Sequence, residues 1–181
     1  MDIEILKKLK ETDGRRFPSW DDFPEVDLYM DQVIELVNGY MRSISPSGEA
    51  AVITASMINN YVKSKLMPPP FKKRYSKLHL AYIIMICFLK QTFGVSSLEK
   101  ILPENVNIMR DDVIKELYEV FTQSGEEAYL GALSDIEELS AQCGDDTRLY
   151  SVRLMAEVNV RKAIAEAVIR EMYAEFYDDD I

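Results

Sequence analysis

No aspartate or glutamate occurs between Glu49 and Glu99, in a chain that otherwise carries 31 of them. Residues 50–98 hold Lys63, Lys65, Lys72, Lys73, Arg74, Lys77 and Lys90, a local charge of +7, whereas residues 1–49 carry −5 and residues 99–181 carry −12. The formal net charge of −10 therefore conceals a cationic block. The total alone argues against an anionic partner, but a long stretch free of carboxylates argues for one.

Other scarcities narrow the function further. The single histidine, His79, cannot belong to a multi-histidine metal site, and Cys87 and Cys143 form neither metal-ligand spacing nor a disulfide framework. Cys87, between Ile86 and Phe88, reads as a small core hydrophobe. The acidic run Asp21, Asp22, Glu25, Asp27 and Asp31 lacks the order of a calcium loop. No phosphate-cradling glycine loop and no nucleophile–base motif occurs, so neither an enzyme nor a cofactor is expected. The longest apolar run, Leu78 to Leu89, is interrupted by His79 and falls short of the roughly 20 residues that span a bilayer. The N-terminus Met1-Asp2-Ile3-Glu4 lacks the basic and apolar regions of a secretory signal. A cytoplasmic protein without a membrane partner is the expectation. Seven glycines and seven prolines exclude collagen-like or linker-dominated chains, while 48% apolar residues over 181 positions suffice for a real core.

What is present is helical periodicity. The first 27 residues combine an amphipathic stretch, Ile3 to Leu9, with Pro18, Trp20, Phe23 and Pro24, an arm whose aromatics serve as packing anchors. Leu28 to Met41 places Tyr29, Val33, Leu36, Val37 and Tyr40 at helical spacing, with Asp27 as N-cap. After a loop from Ser43 to Glu49, a short helix is predicted from Ala55 to Ser64, capped by Thr54 and stopped before Pro68-Pro69-Pro70. Ser76 caps a buried helix of about 17 residues that reaches Phe93 and ends at Gly94. Ser96 or Ser97 opens a further short helix, closed by Pro103. Helices Asp111–Thr122, Glu126–Cys143 and Leu149–Tyr177 complete the chain before the acidic tail Asp178-Asp179-Asp180. The last helix carries apolar residues over more than one stripe and has no clean heptad.

A short helix, a turn, a basic connection of hairpin length and a long apolar helix follow the plan of a winged helix-turn-helix. Ser56, Asn59, Asn60 and Lys63 fall opposite Ile58 and Val62 on the short helix, as a helix lying in a major groove requires. Asparagine can contact adenine in bidentate fashion, and lysine can reach guanine or phosphate. Lys72, Lys73 and Arg74 sit where a wing meets flanking phosphates, with Lys65 and Lys77 on either side.

These residues carry a family resemblance. Met57 to Pro68 (MINNYVKSKLMP) resembles the segment of MerR-type transcriptional regulators of general form L-R-Y-Y-E-x-x-G-L-L-P, aligned at Ile58, Tyr61, Leu66, Met67 and Pro68. Tyr75-Ser76 and Leu80 are similar to the family's Y-S-x-x-D-L, and Leu89, Gly94, Ser96, Leu98, Glu99 and Ile101 to its closing L-x-x-x-G-x-S-L-x-E-I. Asn59-Asn60 replace the family's arginine, Lys65 its turn glycine, and the Gly-Tyr-Arg of the usual wing is absent. The run from Ile53 to Tyr82 is most similar to an uncharacterised bacterial domain-of-unknown-function family with a MerR-like fold. Tyr61 and Tyr75 read either as core aromatics with a wet hydroxyl or, as the resemblance implies, as phosphate contacts.

The resulting expectation is an all-α protein with a MerR-like winged helix-turn-helix core, bearing a short wing, and a C-terminal helical region. An arm occupies residues 1–27, the DNA-binding domain residues 28–104, and an acidic helical part for dimerisation or effector binding residues 105–181. Function follows as a non-enzymatic transcriptional regulator that binds double-stranded DNA as a homodimer. The competing reading is a protein-interaction module whose basic face meets an acidic protein.

Overall fold

The computed structural model describes residues 17–44, 53–102, 111–143 and 146–177. The predicted stretch Ile3–Leu9, the centre of the loop 43–49, Pro103, the Cys143 side chain and the acidic tail lie outside the described residues. Among the described residues there are six α-helices: α1 Met30–Ile44, α2 Ala55–Lys63, α3 Lys77–Leu89, α4 Val95–Ile101, α5 Asp111–Cys143 and α6 Thr147–Tyr177. Among the described residues, β-structure is confined to two antiparallel bridges, Leu28 with Tyr75 and Phe71 with Arg74. The all-α expectation is met.

The described residues divide into two compact units, 17–125 and 126–177. At the centre of the first stands α3, in which every residue from His79 to Cys87 is buried. A helix apolar all round must be covered on all sides. Helix α1 supplies Val33, Val37, Met41 and Ile44 at i, i+4, i+8 and i+11, and α2 supplies Ile58 and Tyr61. From the arm, Phe17 meets Phe88 and Phe121 edge-on at centroid distances of 5.1 and 4.9 Å. Trp20 and Phe23 pack on Tyr118, whose hydroxyl donates to the Pro18 carbonyl at 2.7 Å. The aromatics of the arm are packing anchors, as their spacing among prolines suggested.

Several helix ends differ from the sequence reading, each for a physical reason. Helix α1 starts at Met30 because Leu28 exchanges both backbone hydrogen bonds with Tyr75, each 2.9 Å, and cannot turn into a helix. The Tyr29 N–H then donates to Gln32 Oε1 at 2.9 Å. Helix α3 ends at Leu89, not Phe93. Gly94, with φ −69° and ψ 157°, is the N-cap of α4 and no left-handed terminator of α3, so neither Ser96 nor Ser97 opens that helix. Two predicted helices, Asp111–Thr122 and Glu126–Cys143, are one continuous α5. Its Gly125 is no break: a Cβ there would lie 2.4 Å from the Phe17 ring, so the missing side chain admits that ring against the helix.

In the second unit, Asp146 receives the Arg148 N–H on Oδ1 at 3.0 Å, which caps the start of α6. Ile136 and Tyr150 are buried, with Leu154 against them. Seven apolar side chains of α6 stand open: Leu149, Val152, Met155, Val158, Val160, Ile164 and Val168 are 52–66% exposed.

Candidate functional site

Helix α2 presents two chemically distinct faces. Thr54 Oγ1 accepts from the Met57 N–H at 3.3 Å and fixes where the helix begins. Burying Ile58 and Tyr61 then turns Ser56, Asn59, Asn60 and Lys63, spaced i, i+3, i+4 and i+7, to solvent. No backbone or side-chain partner occupies the Asn59 and Asn60 amides or the Lys63 ammonium among the described residues.

The helix closes on an unusual residue. The Leu66 N–H donates to the Tyr61 carbonyl at 2.9 Å and the Lys65 N–H to the Val62 carbonyl at 3.2 Å. This is a Schellman closure, whose left-handed position is normally glycine. Lys65 occupies it with φ 61°. Lys65 thus keeps the conformation of a helix-closing glycine without being one.

Buried Leu66, Met67 and Pro68 lead to a two-residue hairpin. The Arg74 N–H donates to the Phe71 carbonyl at 2.9 Å, and the central residues Lys72 and Lys73 have φ of 48° and 64°. Positive φ at both centres is the type I′ pattern, which Asn-Gly ordinarily fills. Left-handed backbone costs a side-chain-bearing residue roughly 1–2 kcal/mol. Among the described residues the non-glycine positions with positive φ are Lys65, Lys72 and Lys73, all three exposed lysines of the acid-free block. Strain of this kind collects where function requires it.

Aromatic rings organise the cations around the hairpin. The Arg74 guanidinium lies over the Tyr29 ring, 4.6 Å from its centroid, and the Lys72 ammonium over the Phe71 ring at 5.1 Å. Phe71 is itself 72% exposed. Neither Tyr29 nor Phe71 was anticipated at the site. Phe71 carried a signal, an apolar ring directly before three cations, whereas Tyr29 reaches Arg74 only through the Leu28–Tyr75 bridge.

The remaining expected residues lie deeper. Tyr61 and Tyr75 are buried. The Tyr61 hydroxyl has the Cys87 thiol beside it and no oxygen or nitrogen partner; burial pushes the phenol far above its ordinary pKa. Burial likewise pushes the Cys87 thiol up to about 11, so it packs as a hydrophobe and is no nucleophile. Lys77 is half-buried, and its ammonium meets the Glu25 carboxylate.

Behind the hairpin, His79 holds the start of α3. Its Nδ1 accepts from the Ser76 N–H at 3.0 Å, while Nε2 faces the Pro69 carbonyl at 3.4 Å, an arrangement that suits the neutral Nε2–H tautomer. Burial lowers its pKa, opposed by the Pro69 carbonyl and the Asp27 charge. Among the described residues no group of three or more His, Cys, Asp or Glu could hold a metal, and no helix is long and apolar enough to cross a membrane.

The site thus combines an exposed asparagine-rich helix face, a lysine closing that helix, and a cationic hairpin braced by aromatics. No curated protein and no solved structure matches this chain. A family model described as Domain of unknown function (DUF1836) matches residues 18–121, which takes in the end of the arm, α1 to α4, the hairpin and the first part of α5. That match covers more than half the chain and nearly all of its first compact unit: the protein belongs to the DUF1836 family.

Proposed function

We propose that the chain is a non-enzymatic, DNA-binding transcriptional regulator of MerR-like winged helix-turn-helix type, acting as a homodimer in the bacterial cytoplasm. Helix α2 lies in the major groove, where Asn59, Asn60, Ser56 and Lys63 read base edges. The Phe71–Arg74 hairpin is the short wing, whose Lys72, Lys73 and Arg74 meet flanking phosphates together with Lys65. Tyr61, Tyr75 and Lys77 support this face from behind through burial and the ion pair with Glu25.

One observation carries the reading: the three lysines with left-handed backbone are all exposed and, like the exposed Asn59–Asn60 pair, belong to the sequence block without carboxylates. An ordinary solvated surface has no use for lysine at positions that glycine fills more cheaply. The acidic remainder of the chain limits non-specific adhesion and confines duplex binding to this face.

Selection of sites from random duplex DNA by the purified chain, followed by titration of the winning site against salt, tests the proposal. A recurring motif is expected, with log K falling by about 0.9 per phosphate contacted for each unit of log salt. A flat salt response, or binding to an acidic protein with none to duplex, overturns it.

A further inference from the structure

Phe71 has no role in a wing that only neutralises phosphates. Its ring is 72% exposed, yet three cations follow it directly, and one of them, Lys72, holds its ammonium over the ring. The ring is not on a loose loop. Pro69 and Pro70 lead into it, the Arg74 N–H closes the turn on its carbonyl, and Tyr75 is pinned to Leu28 by two backbone hydrogen bonds. A two-residue tip leaves room for one protruding apolar side chain. The hairpin therefore presents an exposed ring on a pinned backbone, with the Lys72 ammonium over it and two more cations next in sequence.

Few partners match that pattern. An apolar protein pocket receives a ring, but a ring with an ammonium over it and two more cations next in sequence carries unpaired charge to its rim. Nucleic acid satisfies both demands at once, because each flat base face is bordered by phosphates, one charge per about 1.7 Å of duplex axis. Apolar side chains that enter between stacked base pairs unstack one step and kink the duplex.

We infer that Phe71 is a wedge: resting on the DNA-binding reading above, the hairpin inserts the Phe71 ring between adjacent base pairs and bends the bound duplex. In the free protein Lys72 shields the ring; on binding its ammonium moves to a phosphate and uncovers the face that stacks. Arg74, held by Tyr29, stays in place and sets the depth of entry.

The test uses the full chain and a duplex chosen by the site selection, labelled at both ends so that energy transfer reports bending. Wild type, Phe71→Ala and Phe71→Leu are compared on the continuous duplex, on the same duplex with a one-nucleotide gap at the wedged step, and on its single strand. Circular dichroism checks the fold, which an exposed ring does not support. Wild type and Phe71→Leu should bend the continuous duplex; Phe71→Ala should leave it straight and bind it about tenfold or more weakly, because the cost of unstacking one step is repaid only by the wedge and the contacts that the bend admits. On the gapped duplex, where unstacking is already done, Phe71→Ala should bind nearly as well as wild type. A straight duplex under wild type, or an equal loss for Phe71→Ala on continuous and gapped DNA, overturns the wedge and leaves the DNA-binding reading standing. A loss confined to the single strand replaces the wedge with a single-strand stacking platform. Absence of wild-type binding to any duplex overturns both readings.

Discussion

Arg74 and Tyr29, 45 positions apart in sequence, are locked together twice: the guanidinium stacks on the phenol ring at 4.6 Å, and its Nη2 donates to the phenol oxygen at 2.9 Å. The bridge between Leu28 and Tyr75 makes this possible by setting the two neighbouring residues side by side. The contact restrains an arginine that would otherwise sample many rotamers, and so prepares it for a ligand.

Tyr29 is therefore a positioning residue, and its removal should act through Arg74. Tyr29→Ala is expected to weaken duplex binding nearly as much as Arg74→Ala, whereas Tyr29→Phe keeps the stacking and loses less. The double mutant should lose no more than Arg74→Ala alone. A coupling of about 0.5–1 kcal/mol, the usual range for an exposed cation–aromatic pair, is expected from the cycle. Additive losses would mean that Tyr29 contacts DNA on its own.

The three strained lysines make a prediction of opposite signs. Lys65→Gly, and Lys72→Asn combined with Lys73→Gly, relieve left-handed backbone and should each stabilise the fold by about 1 kcal/mol. A gain of that size raises the melting temperature by several degrees in a unit of about a hundred residues. The same substitutions remove cations and should weaken DNA binding at moderate salt. Higher stability with unchanged binding would show that these lysines serve no anionic partner.

How much of this was legible in the sequence depended on the range of the forces involved. The core face of α1, the Thr54 cap, the polar face of α2 and the buried character of α3 follow from residues within one or two turns of each other, so periodicity and capping rules reach them. Gly94 misled because a glycine near a predicted helix end normally terminates it, whereas here it caps the following helix. The close approach of the Phe17 ring to Gly125 joins the distant arm to α5 and lies beyond the reach of local patterns. The cation block was visible by counting. Its bracing by Tyr29 was not, since that depends on a bridge between segments far apart in the chain, whereas the core reading of Tyr61 and Tyr75 was open to the sequence and both are buried.

Asn59 and Asn60 should govern choice of sequence more than strength of binding. Replacing both by alanine on the exposed face of α2 leaves its buried face intact, so the fold should persist. A base-edge contact is worth about 1–3 kcal/mol of discrimination, and phosphate contacts are blind to sequence. Competition between the selected site and random duplex should therefore narrow in the double alanine variant. Equal losses on both duplexes would reassign the pair to the DNA backbone.

His79 makes stability depend on pH. Its folded pKa is lowered by burial, with Asp27 and the Pro69 carbonyl opposing, while in the unfolded chain it returns to about 6.5. Between those two values the unfolded state binds the extra proton. The contribution is thus fully present above about pH 6.5 and is lost as the pH falls toward the depressed folded value. Protonation also removes the Nδ1 lone pair that accepts from the Ser76 N–H, loosening the start of α3. Denaturant titrations at a series of pH values should show wild type losing stability below about 6.5 relative to His79→Gln, which offers an acceptor without titrating. Parallel curves for the two proteins would remove His79 as the cause.

The open side chains of α6 point to self-association. Leu149, Val152, Met155, Val158, Val160, Ile164 and Val168 together expose more apolar surface than scattered single residues explain. They cover a wider arc than one partner helix needs, which suits a symmetric arrangement in which each copy both gives and receives. Light scattering at micromolar concentration should return a dimer mass for the full chain. Val152→Glu with Ile164→Glu places charge on this surface without touching the buried Ile136 and Tyr150, so helicity should be unchanged while the mass falls to that of one chain. The same variant should lose affinity for a two-half-site operator yet keep its weaker grip on a single half-site, because each copy retains its own α2 and hairpin. A monomeric wild-type mass would refute the dimer, and a dimer that survives both glutamates would place the interface elsewhere.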